Sequence, residues 1–183
     1  MNGKYIANPK GWNVLKNTVV HAIEKYQNQT YIFTQKKGVF IVEKNGLKSW
    51  DNPINEVLKS ATINVAKFVK NEKLIIGTGN RGIFILDLKT NSFKNIERDN
   101  VLMNNSVLSL GLDKENDLWV GLDNGIAHVE VNSPISFFYD NSGLLGSVYS
   151  VAAIDKGYLI ASNHGVFEFV SGKFNMLPNT QGQ

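Results

Sequence analysis

A glycine followed by a short β-branched or aromatic run recurs four times in this chain of 183 residues, at Gly38, Gly82, Gly125 and Gly165. The runs read VFIVE, IFILD, IAHVE and VFEFV, and each returns after about 40 to 45 residues. A fixed period of that size constrains the fold more than any single motif. Each unit must be one supersecondary element that buries its apolar face against the next. Just upstream of the glycines lie Tyr31-Ile32-Phe33-Thr34, Leu74-Ile75-Ile76-Gly77, Leu118-Trp119-Val120-Gly121 and Tyr158-Leu159-Ile160-Ala161. Before these come VVHAIEKY, TINVAKFV, SVLSLGLD and SVYSVAAI, whose second residues, Val20, Ile63, Val107 and Val148, are all β-branched, as a pleated surface prefers. Downstream come LKSWDN, SFKNIE, ISFFYD and KFNMLP. Asn, Asp, Gly, Lys and Ser separate the segments, which is turn chemistry.

Four short strands per unit specify an all-β fold of β-propeller blades, each a four-stranded antiparallel sheet. About four repeats are expected, as an incomplete arc of a larger propeller. The blades fall at 17–53, 54–100, 101–142 and 143–183, with 1–16 as a lead-in or partial blade. GTGNRG, from Gly77 to Gly82, has the G-x-G-x-x-G spacing of a dinucleotide loop. That chemistry needs a helix after the glycines to receive the pyrophosphate. Here Ile83-Phe84-Ile85-Leu86 follows, and the equivalent loops TQKKG, GLDNG and ASNHG lack the spacing. The motif therefore reads as a hairpin whose glycine supplies φ > 0. The stretch INEVLKSATINVAKFVK carries a helical face, with Asn55 as a candidate N-cap. The repeat assigns TINVAKFV to a strand and leaves a short helical turn at 55–59 as an option.

Composition narrows the function. Hydrophobic residues make up 43% of the chain and charged residues 19%, below the roughly 25% usual for globular domains. The formal charge is +3, and the lysines are spread along the chain, not clustered as a nucleic-acid face would require, so no nucleic acid is expected here. With no cysteine there is no disulfide, zinc-thiolate site or thiol nucleophile. No apolar run of about 18 residues exists, so this segment is not expected to insert into a membrane, and MNGKYIANPKGW does not read as a signal peptide.

The third unit, LMNNSVLSLGLDKENDLWVGLDNGIAHVEV, resembles the two-component regulator propeller repeat at Leu102, Asn105, Val107, Leu110, Asp113, Leu118, Trp119, Val120, Gly121, Gly125 and Ile126. The other units are similar more loosely. The stretch SPISFFYDNSG and the final NTQGQ are similar to a subfamily of Bacteroidetes sensors, especially flavobacterial ones. Those carry a triple-tyrosine module and a LuxR-type helix-turn-helix output. The resemblance implies a periplasmic sensor region of a signal-transduction and transcription regulator, joined to an output that this sequence does not contain.

Within a blade, the loop between strands two and three shares a face with the lead-in to the next first strand. Two residue sets are expected to converge there as a site for a polar ligand such as a glycan, or for another domain of the same regulator. One is Lys36, Lys37, Asn80, Arg81, Asp123, Asn124, Asn163 and His164; the other is Asn17, Asn104, Asn105 and Ser147. The same asparagines and aspartates also suit Asx-turns that satisfy backbone groups. Trp119 reads as a strand-core residue unavailable for stacking. Asp113, Glu115 and Asp117 alternate, but Leu118 and Asn124 stand where an EF-hand needs Gly and Glu, so a solvated turn is expected. His21, His128 and His164 share no motif, and neither a metal site nor a cofactor is expected. No nucleophile or carboxylate pair is marked out for catalysis, so an enzyme is not expected, a propeller hydrolase or lyase being the remote alternative. An arc would leave two apolar blade faces uncovered, which suggests self-association.

Overall fold

A computed structural model of the chain describes residues 11–98, 102–133, 140 and 142–182. Its first sheet contains Val20–Tyr26 (β1), Gln29–Thr34 (β2), Gly38–Glu43 (β3) and Gly46–Ser49 (β4), hydrogen-bonded in that order. The second contains Ile63–Val69 (β5), Lys73–Thr78 (β6), Ile83–Asp87 (β7) and Phe93–Ile96 (β8). The third contains Val107–Leu112 (β9), Leu118–Leu122 (β10) and Ile126–Val129 (β11). The fourth contains Val148–Ile154 (β12), Gly157–Ser162 (β13), Gly165–Val170 (β14) and Lys173–Met176 (β15). Every pairing is antiparallel and joins strands adjacent in sequence. The fold is all-β and built of propeller blades. ISFFYD, apart from Asp140, and residues 1–10 lie outside the described residues.

Local chemistry makes each hairpin. The four repeat glycines all have positive φ: 76° at Gly38, 61° at Gly82, 99° at Gly125 and 143° at Gly165. At Gly82 a Cβ would also stand 2.1 Å from the Ile96 carbonyl oxygen, so no other residue fits that turn unchanged. Ser171 and Gly172, with φ of 52° and 80°, form the two-residue turn between β14 and β15 in the left-handed sense that matches strand twist. The strand β7 begins immediately after Gly82, so the nucleotide reading of GTGNRG has no helix to rest on.

The chain divides into two compact units, Met1–Ile135 and Ser136–Gln183. In the first, β6 is buried on both sides. Leu74 and Ile76 enter a core with Phe33, Val39, Ile63, Phe84 and Leu86, while Ile75 enters a second with Ile83, Val107, Leu118 and Val120. The alternation explains why LIIG is apolar throughout: a strand covered on both faces has no solvent side. Gly77, on the same strand, leaves room for the third sheet, since a Cβ there would lie 2.5 Å from Val107 Cγ1. In the second unit, Leu145, Ile160, Phe167 and Phe169 form the core, with Phe174 and Met176 against it.

The connection between the first two sheets corrects one expectation. A helix, α1, spans Pro53–Ser60, and its N-cap is Asn52, not Asn55. The Asn52 side chain accepts the Ile54 N–H at 3.1 Å, and Pro53 takes the first position, where a missing N–H costs nothing. Asn55 is buried as the third residue of the helix. Its Oδ1 accepts the Val39 N–H at 2.7 Å, and its Nδ2 donates to the Trp50 and Val39 carbonyls at 2.8 and 3.1 Å. It therefore replaces a strand partner where β3 runs past the start of the helix. TINVAKFV is strand, as the repeat requires.

Candidate functional site

Three of the four loops between second and third strands share one internal design, the third sheet having Leu122 where the others have a hydroxyl. Thr34 Oγ1 donates to the Gly38 carbonyl and accepts the Lys37 N–H; Thr78 does the same with Gly82 and Arg81, and Ser162 with Gly165 and His164. Each loop also bonds to the start of its own first strand, through Gln35 N–H to Val19 O, Gly79 N–H to Thr62 O, Asp123 N–H to Ser106 O and Asn163 N–H to Ser147 O. In the first unit the loops reach the next blade as well, through Ile63 N–H to Gln35 O and Gly82 N–H to Asn105 O. Loops and lead-ins of the first unit thus lie on one face, as blade geometry requires. In GTGNRG the N–H groups of Thr78, Gly79, Arg81 and Gly82 all have partners within the protein, so this loop offers no phosphate cradle.

Most of the amides expected on this face serve the backbone. Asn80 Oδ1 accepts the Thr62 N–H at 3.0 Å, Asn104 Oδ1 that of Ser106 at 2.8 Å, and Asn105 Oδ1 that of Arg98 at 2.6 Å. Lys37 Nζ donates to the carbonyls of Val14 and Lys16, at 2.8 and 2.9 Å, closing the short 3₁₀ turn Trp12–Leu15. Asn17 sits in the left-handed region at φ 59°. In the second unit, Asn163 Oδ1 accepts the Ser147 N–H at 2.7 Å, and His164 Nδ1 lies 3.0 Å from the Leu144 carbonyl. Among the described residues, the side chains of Lys36, Asp123 and Asn124 make no such bond and are exposed. Arg81 is half-buried, its guanidinium 5.6 Å from the centroid of the Phe84 ring. In the first unit the face is thereby left with Asn17, Lys36, Arg81, Asp123 and Asn124, two cations, a carboxylate and two amides.

Trp119 departs from its expected place. It is 45% exposed, on the side of the third sheet opposite the core, and its ring centroid lies 4.7 Å from that of His128. The register pairs Trp119 with His128 on β11 and with Gly111 on β9, and the glycine leaves the ring uncovered on that side. Asp113, at the β9–β10 turn, joins them. Its Oδ1 accepts the N–H groups of Glu115 and Asp117, its Oδ2 lies 3.2 Å from His128 Nε2, and the Trp119 side chain also bonds to it. Partial desolvation pushes the carboxyl of Asp113 up, but these bonds outweigh it and hold the group below its ordinary range. D-K-E-N-D is therefore the solvated turn expected. Ligand atoms of Asp113, Asp117 and His128 lie within 4.8 Å of one another, making this the set best placed among the described residues to hold a cation. Sequence spacing hid it, because His128 arrives through strand pairing from another hairpin. No helix among the described residues is long and apolar enough to cross a membrane.

No protein-family model matches the chain, and no curated protein sequence matches it. Solved structures do. The chain is similar to the extracellular domain of a protein described as the hybrid two component system BT3049 of B. thetaiotaomicron, with 27% identity and a TM-score of 0.61 over 87% of this chain and 22% of that one. It is also similar to the extracellular domain of BT4673 from the same organism, at 16% identity and a TM-score of 0.52 over 92% of this chain and 23% of that one. A third similar structure is PorZ, a surface component of the type-IX secretion system of Porphyromonas gingivalis, at 16% identity and a TM-score of 0.50 over 89% and 24%. The chain therefore spans less than a quarter of the length of these proteins. At 16% identity the latter two bear on the fold alone.

Proposed function

We propose that the chain is a non-catalytic, ligand-binding blade array of a bacterial signal-transduction regulator of the two-component regulator propeller type, working in the periplasm. The likeness to the BT3049 extracellular domain carries this reading, because it joins sequence identity to shared fold over most of the chain. The loop face of the first unit supplies the binding groups. Lys36, Arg81, Asp123 and Asn124, with Asn17 beside the first lead-in, are the ones the backbone leaves for a polar ligand, such as a glycan, or for another domain of the same regulator. A thermal-shift screen of the purified chain against polar oligosaccharides tests it. A rise in melting temperature with one of them, lost in Asn124→Ala and reduced in Arg81→Ala, supports ligand sensing. A rise that survives both substitutions moves the site elsewhere.

A second reading, a protein-interaction scaffold without a small ligand, draws on the exposed side of the third sheet, where Trp119 and Ile126 stand 45% and 67% exposed. Concentration-dependent association seen by light scattering, abolished by Trp119→Ser, favours the scaffold.

A further inference from the structure

The first unit holds a cleft of about 270 Å³ between its first two sheets, lined by residues of the β1–β2 hairpin, the lead-in to α1 and the turns of the second sheet. We propose that this cleft binds an organic ammonium group, a primary or methylated alkylammonium. The proposal goes beyond the loop-face reading and does not depend on it.

Three aromatic side chains, Tyr26, Tyr31 and Trp50, and two carboxylates, Asp51 and Glu72, line the cleft. Aromatic rings attract cations through the negative potential of their faces, and carboxylates supply the counter-charge. An anion would meet two carboxylates there. Glu72 is held in the left-handed region at φ 54°, a conformation that a glutamate seldom adopts and that glycine or asparagine would take with less strain. Its Oε2 is shielded from solvent, although the side chain as a whole is 39% exposed. A single ammonium, Lys89 Nζ, stands 2.9 Å from it, on a side chain that is 71% exposed. The protein thus already places an amine on this carboxylate, from a long chain that solvent can reclaim at little cost. An incoming alkylammonium takes the position of Lys89 and adds contact with the aromatic lining that Phe68 leaves open. The charge balance agrees, since with Lys89 swung away the lining keeps two carboxylates and no cation.

The test is a titration of the full chain with butylammonium and tetramethylammonium chlorides, followed by amide and indole proton–nitrogen spectra, with sodium chloride and glucose as controls. Saturable shifts confined to the cleft, including the Trp50 indole, are expected with the ammonium salts only. Affinity should rise severalfold in Lys89→Ala, where the competing amine is gone, and fall roughly tenfold in Glu72→Gln, whose spectrum reports its own folding. Asp51→Asn, at an exposed position, should weaken binding without touching the fold. The absence of saturable shifts in both the natural chain and Lys89→Ala overturns the proposal. So does saturation by glucose, or equal affinity in Glu72→Gln.

Discussion

Asn55 joins α1 to the first sheet, and replacing it should show how much one side chain holds. Asn55→Ala removes the acceptor of the Val39 N–H, which is buried and bonds nothing else on that side of β3. The two carbonyls served by Asn55 Nδ2 keep other donors, Trp50 N–H for Val39 and Asn52 N–H for Trp50. One orphaned buried donor costs about 1–3 kcal/mol, and the space left by the amide adds roughly 1 kcal/mol, so a loss of about 2–4 kcal/mol is expected. Asn55→Asp gives a sharper result. The carboxylate still accepts from Val39 but faces two carbonyls without a proton to donate, and burial disfavours its charge. Its folded pKa therefore lies above the unfolded value of about 3.9. A raised carboxyl pKa means that the folded state binds more protons, so stability falls as pH rises through that window. Asn55→Asp should be closest to the natural chain in acid and weakest at neutral pH. Urea unfolding followed by tryptophan fluorescence measures both. A loss below about 0.5 kcal/mol in Asn55→Ala, or a pH-independent deficit in Asn55→Asp, would refute the assignment.

Gly77→Ala should destabilise by about 1–3 kcal/mol through its contact with Val107 Cγ1, and Val107→Ala in the same chain should recover part of the loss; equal deficits with and without it would count against the packing account. Asp113→Asn tests the turn bonded by His128 and Trp119. Because the folded pKa is lowered, the contribution of Asp113 is present above its ordinary value of 3.8 and disappears as pH falls through the folded one. The gap between natural and variant stability should accordingly close in strong acid, and a constant gap would contradict the sign. Lys37→Met removes the donor to Val14 and Lys16, with an expected cost of roughly 0.5–1.5 kcal/mol in denaturant unfolding. An unchanged stability with altered ligand affinity would return Lys37 to the binding face.

The helix shows where local reading stops. INEVLKSA carries a helical periodicity, and Asn52-Pro53 ahead of it is the start signal, a capping amide followed by proline at the first helical position. Asn55 looks like a cap by residue type alone, and only the passage of Val39 beside it makes it a strand partner. Asn80, Asn105 and Asn163 were equally ambiguous. Their residue type suits both a ligand and a backbone N–H, and the backbone claims them.

By itself the sequence determined the repeat, the order and direction of the strands, and the glycine turns, because alternation and φ preference act between residues a few positions apart. Tertiary structure decided which polar groups remain for another molecule. It exposed Trp119, brought His128 to Asp113 and placed Glu72 in one cleft with Tyr26 and Trp50, since those neighbours come together only when strands pair or sheets pack, at separations no local pattern encodes.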